Sequence, residues 1–519
     1  MRFSTKARWS SGLFLIATCG FAVLHFLDSL WAPSIDLILH YAVVVRISQQ
    51  WSLPDDRGLE QLSVFPRNAH RLAAIIGKLS GSPLIGLQSV ALAALAATWS
   101  GLALLFFALP RRIRWVAFGG LAVLLLANRF FIHLELFGNE LVGNYFYPQL
   151  VTQAAAILLI ALVLYLERAG IPTIVGYLIL GASVPILQHF HLLPALEVLA
   201  TLAFLVLLNL IAAKGKDRWK DFALGLLVIL ASLALTVLNP LFEAVRLQSE
   251  NNGLLRLTYT SNLTALAIEC LIVIGLSGCL IWQWTRMEMG EARTNGLTLK
   301  YLGLFGLAAA TLCLAQIALL NLGNGSPYAC KKYAFALNTV LMLDIPLLLM
   351  PPTASIIRRV AGLRSAALDA SMAFFQPTFL GLFVFVGIFT VLPSPSARVI
   401  ALSELVSAEH IVNAYEAAHP IDNPDRYDYA FGLFPVNNGY DYLITIGTLK
   451  VPRAENADDV LNGLPPSKPR KINRIFSREG SKPWDVPECR EEVLEDHVVV
   501  LDGACVLARI RDTGGTPSP

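Results

Sequence analysis

An acid and a histidine stand one helical turn apart in the segment 34–40, directly after an apolar stretch near the amino terminus. Side chains four positions apart share one face of a helix, so Asp36 and His40 can act on one substrate. A carboxylate just outside a membrane span can take a proton from a hydroxyl group, which is general-base catalysis. Asp36 is therefore the predicted catalytic residue, with His40 placed to orient it or to bind the acceptor. The alternative is a solvated loop in which both residues occur by chance.

The composition of the chain indicates that these residues lie beside a set of membrane-spanning helices. Of the 519 residues, 55% are hydrophobic and only 15% are charged, and the mean hydropathy is +0.59. In a soluble protein of this length, about a quarter of the residues would be charged. The net charge of +3 is too small to indicate nucleic acid as a partner. We predict a mostly α-helical, polytopic transmembrane bundle that binds membrane lipids and no nucleic acid.

The apolar stretches predict about eleven spans, because a helix needs about 20 apolar residues to cross a bilayer. Basic residues predict the orientation, since Lys and Arg concentrate in cytoplasmic loops. The basic clusters fall on one side if the amino terminus is cytoplasmic, whereas the loops 133–147 and 190–193 carry none. An odd number of spans then places the carboxyl terminus outside, and the predicted location is the inner (plasma) membrane. The predicted spans are 11–31, 84–109, 115–132, 148–166, 171–189, 194–213, 221–242, 263–285, 298–321, 333–353 and 374–393.

The polar composition after Pro393 predicts two domains, a membrane domain over 1–393 and an extracytoplasmic domain over 394–519. The segment 403–419 is typical of a helix, and the segments 442–446 and 498–501 are typical of strands, so a small α/β domain is expected. A disulfide between Cys489 and Cys505 and a pair of free thiols are equal alternatives if this domain lies outside the cytoplasm. The last residues, 514–519, are predicted to be disordered.

A second outward loop, 129–147, holds carboxyl and amide groups that could bind a sugar hydroxyl or a metal. Glu135, Glu140 and Asn144 belong to it. For either glutamate alone, a loop that ends a helix is the simpler interpretation. Asp36 together with Glu135 or Glu140 could form a divalent-metal site only through folding. No other cofactor is predicted.

A later outward loop, 323–332, carries two lysines that break the expected distribution of charge. Lys331 and Lys332 work slightly against the predicted orientation, so an anionic ligand at that surface would explain them. A phosphate is the natural candidate, because Lys acts as a compact point charge for it. The alternative is that both side chains snorkel to the phosphates of outer-leaflet lipids.

Taken together and in order, these pieces resemble the GT-C superfamily, which are membrane glycosyltransferases that use polyprenyl-phosphate-linked sugars. The similarity is closest to the arabinofuranosyltransferase-like and mannosyltransferase-like members and covers roughly residues 10–390. The matching pieces are Asp36-x-x-x-His40, Phe65-Pro66-x-x-x-His70 leading into 72–77, the segment 144–151, and Tyr328-x-x-Lys331-Lys332.

The resemblance implies a cell-envelope enzyme that transfers a sugar from a polyprenyl-phosphate donor to a glycan or lipid acceptor, with inversion at the anomeric carbon. Asp36 would be the base, although many members carry two acids in this loop and this chain has one. The residues that would bind the donor or acceptor sugar are His40, His70, Glu135, Glu140 and Asn144. Those that would bind the lipid phosphate are Tyr328, Lys331, Lys332 and Arg256.

Two other functions fit the same sequence. A transporter or flippase for a lipid-linked saccharide would place polar groups near the middle of the membrane. Asp344 is the main charge that we identify inside a predicted span, and a helix kink paired with a neighbouring polar group is its simpler explanation. A catalytically inactive assembly protein of the cell envelope would explain the missing second acid. Release of polyprenyl phosphate would distinguish an enzyme from a flippase.

Overall fold

The computed structural model describes residues 34–50, 66–142, 144–212, 217–243, 255–287, 294, 296–361, 376–392, 400–423, 425–452, 457–464 and 471–512. The predicted span 11–31 and the predicted disordered tail 514–519 lie outside these residues. The described chain is mostly helical and has one small sheet near its carboxyl end, as the composition and the segment patterns predict. Its contacts divide it into two compact units, and each is treated separately below.

The helical unit comprises the described residues of Leu92–Leu141 and Tyr147–Pro393. Apolar runs of 16 to 28 residues form most of its elements, and the helix Thr173–Gln188 contains an internal proline, Pro185. Its helices, with α3 beginning before the unit boundary, are α3 (Pro83–Phe107), α4 (Arg111–Ala127, continued by a π turn at Asn128–Ile132), α5 (Tyr147–Arg168), α6 (Thr173–Gln188), α7 (Leu192–Ala212), α8 (Asp217–Val237), α9 (Leu263–Thr285), α10 (Leu297–Asn321), α11 (Pro327–Lys331), α12 (Ala334–Ala361) and α13 (Gln376–Val391).

The mixed unit comprises the described residues of Phe26–Ala91, Val142–Phe146 and Ser394–Pro519. It therefore contains the described part of the predicted C-terminal domain together with two earlier segments, and the predicted domain boundary at 393/394 stays a prediction. Its elements are α1 (Ile35–Gln50), α2 (Asn68–Ser80), α14 (Leu402–Ala418), β1 (Tyr427–Ala430), α15 (Asn438–Leu443, continued by a π turn at Ile444–Thr448), α16 (Ala457–Leu461), β2 (Ile472–Arg478), β3 (Arg490–Val493), β4 (Val498–Asp502) and α17 (Gly503–Asp512).

Eight helices among the described residues are long and apolar enough to cross a membrane. Every predicted span after the first coincides with a described helix, but α6 and α13 are shorter apolar helices that fall below this length. The multi-pass character is thus supported, whereas the count of about eleven stays a prediction. The eight are Pro83–Phe107, Ile113–Ile132, Tyr147–Arg168, Leu192–Ala212, Arg218–Val237, Leu263–Thr285, Leu297–Asn321 and Pro327–Leu349.

Helices α9 and α10 pack closely because α10 presents glycine where α9 presents a serine. A Cβ on Gly306 would lie 2.1 Å from the Ser277 hydroxyl oxygen, and one on Gly303 would lie 2.8 Å from the Ser277 carbonyl oxygen. Small residues allow this kind of close backbone approach between apolar helices. The Ser277 hydroxyl also donates a hydrogen bond of 2.7 Å to Asp344 on α12. Asp344 is therefore paired with a neighbouring polar group, which is the simpler of its two explanations.

A buried ion pair joins three helices of the helical unit near the end of α5. The Lys300 ammonium donates to both carboxylate oxygens of Glu167, at 2.9 and 2.8 Å, and to the side-chain oxygen of Asn209 at 3.1 Å. The Tyr301 hydroxyl donates to the same carboxylate at 2.6 Å. Lys300 is only 1% exposed, so its charge is compensated entirely by these partners and nearby aromatic rings. The hydrogen bonds that these partners make compensate the free-energy cost of burying the ion pair.

The sheet of the mixed unit has the strand order β1-β2-β4-β3. Strand β1 runs parallel to β2, while β2 with β4 and β4 with β3 are antiparallel. The predicted helix at 403–419 and the predicted strand at 498–501 are confirmed by α14 and β4. The predicted strand at 442–446 is wrong, because α15 and its π turn occupy these residues. They are buried without alternation, and a short apolar run does not distinguish a buried strand from a buried helix.

The segments of the mixed unit meet at one buried tyrosine. The Tyr41 hydroxyl on α1 donates to Glu409 of α14 at 2.7 Å and lies 2.8 Å from the Thr448 hydroxyl. The other oxygen of Glu409 accepts a short hydrogen bond from Ser82. A Cβ on Gly447 would lie 2.1 Å from the Tyr41 ring, so only glycine fits beneath it. This network, the tyrosine network, ties α1 and the start of α3 to the C-terminal residues.

The described cysteines at 489 and 505 form a disulfide, which resolves the two alternatives given by the sequence. The bridge closes a loop with a sequence separation of 16. Replacing both residues by alanine is expected to lower the free energy of unfolding of the mixed unit by about 3 kcal/mol, since the bridge restricts the unfolded chain. Hydrogen–deuterium exchange of β2 and β4 in the solubilised protein measures the loss as faster exchange. Cys279→Ala, which removes an exposed free thiol on α9, should leave that exchange unchanged. Unchanged exchange in the double variant would contradict the expected contribution.

Candidate functional site

Asp36 lies in the first turn of α1, where a negative charge is favoured by the helix dipole. Its side chain is half-buried. Ser34 begins the helix by accepting a hydrogen bond from the Leu37 backbone N–H at 3.0 Å. The helix confirms that Asp36 and His40 are one turn apart. The catalytic role of Asp36 stays a prediction.

The two histidines of the first loop lie against each other. His40 Nδ1 and His70 Nε2 are 2.9 Å apart, and both rings are buried. Burial lowers the pKa of His70 to about 3, so this imidazole is neutral near neutral pH. The pair links α1 to α2 and so holds the helix that carries Asp36. Sugar binding by His40 and His70 stays a prediction, and so does sugar binding by the half-buried Asn144.

Within the helical unit, two carboxyl groups lie close together with few hydrogen-bond partners. Glu140, in a short 3-10 turn at Asn139–Leu141, is fully buried. One of its oxygens accepts a hydrogen bond of 2.5 Å from the Gly138 backbone N–H. Glu197 on α7 is also fully buried and lies within electrostatic range of Glu140. Among the described residues, the second oxygen of Glu140 has no hydrogen-bond partner, and the Gln153 side chain of α5 is the group within hydrogen-bonding range of Glu197.

Burial shifts the pKa of Glu140 and the pKa of His191 in opposite directions. It raises the pKa of Glu140 to about 8, although hydrogen bonds from the Glu140 and Gly138 backbone act against the rise. It lowers the pKa of His191, just before α7, to about 3, and the nearby Lys332 ammonium lowers it further. Near neutral pH Glu140 is therefore protonated and His191 is neutral. We call Glu140 and Glu197 the carboxyl cluster. Tyr333, which follows Lys332 in the chain, lies within electrostatic range of Glu197.

The loop that carries Glu140 is held in place by polar side chains of the flanking helices. The Asn128 amide group accepts from the Leu134 backbone N–H and donates to the Leu134 carbonyl oxygen. The Thr339 hydroxyl of α12 accepts from the Phe137 backbone N–H at 2.8 Å. Gly138 has φ of 107°, and a Cβ there would lie 2.4 Å from a side-chain carbon of Leu95. Glycine at this position therefore allows the turn that directs Glu140 inward.

The structure distinguishes the two lysines of the later loop. Ser326 caps α11 by accepting from the Ala329 backbone N–H. The Lys331 ammonium then donates to the Leu255 carbonyl oxygen at 3.3 Å. The Lys332 ammonium instead lies 4.6 Å from the centre of the Tyr328 ring and within electrostatic range of His191. Phosphate binding by Tyr328, Lys331 and Lys332 stays a prediction.

Glu135 has a structural partner outside the carboxyl cluster. Its carboxylate accepts from both the backbone N–H and the hydroxyl of Thr258, at 2.6 and 2.8 Å. Glu269 on α9 lies within electrostatic range of it. Arg256, two residues before Thr258, is exposed. Phosphate binding by Arg256 and sugar binding by Glu135 stay predictions.

The carboxyl cluster joins one predicted site residue, Glu140, with one that the sequence reasoning missed, Glu197. The predicted site residue Lys332 lies within electrostatic range of a second missed residue, His191. Glu197 could have been found as an acid inside a predicted span. The interpretation of Asp344 as the main charge within the spans is therefore wrong, since Glu197 and Glu269 are also buried in apolar helices. Asp36 belongs to the mixed unit, so its predicted convergence with Lys331 and Lys332 stays a prediction.

The sequence leaves open whether the acidic residues bind a divalent metal. In the described part of the chain, no group of three or more His, Cys, Asp or Glu side chains is arranged to hold a metal ion.

No protein-family model matches the chain, and no curated protein matches its sequence.

The pKa of Glu140 gives the helical unit a defined pH dependence. Because its folded-state value is raised from 4.5 to about 8, its contribution to stability is complete below pH 4.5 and is lost as the pH rises through about 8. We expect Glu140→Gln to remove that part of the pH dependence, which is at most on the order of 5 kcal/mol. Thermal unfolding of the solubilised protein across this range measures it. The exposed-site variant Glu495→Gln should follow the wild type, and a Glu140→Gln curve parallel to the wild type would disprove the assignment.

Proposed function

We propose that the protein is a membrane glycosyltransferase that transfers a sugar from a polyprenyl-phosphate donor to a glycan or lipid acceptor on the extracytoplasmic face. The observation that carries the proposal is the carboxyl cluster, in which two fully buried acids have few hydrogen-bond partners, together with Lys332, whose chain neighbour Tyr333 lies within electrostatic range of Glu197. Such a site offers acceptors to sugar hydroxyls and a positive charge to a phosphate. Apolar helices long enough to cross a membrane would hold the prenyl tail of the donor.

In the proposed reaction, Asp36 keeps the role that the sequence predicts for it, and Lys332, Glu140 and Glu197 of the helical unit bind the donor. The acceptor hydroxyl oxygen forms a bond to the anomeric carbon, and the bond from that carbon to the phosphate oxygen breaks. The electron pair of the broken bond stays on polyprenyl phosphate, and Lys332 stabilises the charge that develops there. Asp36 takes the proton of the acceptor hydroxyl. Glu140 and Glu197 accept hydrogen bonds from the donor sugar, and a single displacement inverts the anomeric centre.

Asp36→Asn is expected to lower kcat for sugar transfer by about 10²–10⁴-fold, because the amide cannot accept the proton. The KM for the acceptor should change little. The measurement is transfer of radiolabelled sugar in proteoliposomes supplied with the lipid-linked donor. Asp512→Asn, at an exposed aspartate of α17, is the matched control and should retain full transfer. Full transfer by the Asp36 variant would exclude it as the base.

The two lysines provide a second test because they differ in their surroundings. Lys332→Ala should lower kcat/KM by about 10²-fold, since the leaving phosphate loses its counter-charge. Lys331→Ala should have a much smaller effect, since the ammonium of Lys331 donates to a carbonyl oxygen. Steady-state kinetics with varied lipid-linked donor measures both variants. Equal losses, or a greater loss in the Lys331 variant, would contradict the assignment of the phosphate to Lys332.

A transporter for lipid-linked saccharides is the second candidate, and the buried acids of the apolar helices favour it. Glu197, Glu269 and Asp344 each have a carboxylate oxygen without a partner among the described residues. Acids in such positions mark substrate or proton paths in many transporters. Release of free polyprenyl phosphate during turnover would support the transferase, whereas movement of the intact donor between leaflets would support the transporter.

A further inference from the structure

The mixed unit contains a cavity at the far end of α1 from Asp36. Its volume is about 370 Å³, which is within the range of small-molecule sites. It lies between the last turn of α1, the last turns of α14 and the residues that follow the π turn. The polar side chains in its wall are those of Gln49, Asn413, Glu416, Thr448 and Lys450.

The chemistry of this wall suits a ligand that both donates and accepts hydrogen bonds at several points. The side-chain amides of Gln49 and Asn413 both donate and accept hydrogen bonds. Glu416 supplies acceptors and Lys450 supplies donors. Leu449, only 9% exposed, adds an apolar surface beside them. The acids Glu416 and Asp428 are matched by the cations Arg474 and Lys450, so the charges around the cavity nearly balance and it favours neither a polyanion nor a polycation. A saccharide has this combination of hydroxyl groups and apolar ring faces.

The surrounding structure fixes the groups that face the cavity. The Arg474 guanidinium donates to Glu416 at 3.1 Å and is itself held by Asp428 at 2.9 Å. Lys450 has φ of 58°, a left-handed conformation that is uncommon for a residue with a side chain. Such conformations persist only where the surroundings hold them, and they concentrate at functional sites.

The cavity is connected to the helix that carries the proposed base. Asp36 and Gln49 lie near opposite ends of α1, about 20 Å apart along its axis at a rise of about 1.5 Å per residue. Thr448, in the wall of the cavity, also belongs to the tyrosine network through its 2.8 Å contact with Tyr41. Because the single proton of the Tyr41 hydroxyl goes to Glu409, the Thr448 hydroxyl donates to Tyr41 and its oxygen is left as an acceptor.

We infer that this cavity binds a saccharide unit of the acceptor glycan, about 20 Å from the unit that reacts at Asp36. The inference rests on the proposed function, because it assigns the chemical class of the acceptor. It adds a length requirement: only a glycan long enough to extend along α1 occupies both places. Short acceptors bind at Asp36 without the contribution of the cavity.

The test measures binding separately from transfer. The probes are oligosaccharides released from the envelope glycan of the source organism, separated by length and labelled fluorescently. The full-length protein in lipid nanodiscs is titrated with each fraction. Affinity is expected to rise with probe length in the wild type. Asn413→Ala and Lys450→Gln should each weaken binding of the long fractions by about 10-fold, as loss of a hydrogen bond to a charged or amide group allows. Binding of the short fractions should not change.

Gln49→Ala provides an independent variant on α1, and Lys220→Ala, at an exposed lysine of α8, is the matched control. Wild-type binding of all lengths by the three cavity variants would overturn the inference, and so would failure of the wild type to bind any fraction. Asp36→Asn should bind every fraction like the wild type while losing transfer. If it keeps transfer, or if the wild type binds long fractions without any transfer, the proposed function fails and the saccharide site remains.

Discussion

A polar side chain inside an apolar helical unit must find a partner within the protein, and this constraint separates the two ends of α5. Near its carboxyl end, Glu167 has Lys300 and Tyr301 as partners, so the buried charges are compensated. Near its amino end, the buried carboxyl groups of Glu140 and Glu197 have few partners among the described residues. Burying such groups costs free energy unless a hydrogen bond compensates it. The compensated end has a structural explanation, and the other end is where the proposed function places the donor sugar.

The mixed unit depends on an equally local set of contacts between residues far apart in the sequence. Tyr41, Ser82 and Glu409 form one buried network, although α1 and α14 are separated by the whole helical unit in the chain. Burial of Glu409 raises its pKa, while the hydroxyl donors of Ser82 and Tyr41 act against the rise. The network fixes α1, and α1 has Asp36 at one end and a side of the cavity at the other.

The sequence was most informative where one physical property dominates. Long apolar runs predict helices, and the span predicted at 263–285 has the bounds of α9. The polar composition after Pro393 and the segment 498–501 predict a small α/β domain, and strand β4 occupies that segment. The sequence was least informative for short apolar segments such as 442–446, where tertiary burial on all sides removes the period-two pattern. It also gave no means of pairing Glu140 with Glu197, because their proximity arises from helix packing and not from spacing along the chain.

The interleaved construction of the mixed unit has a practical consequence for dissecting the protein. The polar composition after Pro393 suggests a domain that could be removed. However, residues of this region cover the buried faces of α1 and of the turn before α3. A truncation before α14 would expose the Tyr41 ring and remove Glu409, which accepts the hydrogen bond from Ser82. Loss of activity in such a truncated protein would report damage to a shared interior, and so could not be attributed to the removed segment alone. Point substitutions at exposed residues of the mixed unit avoid this damage.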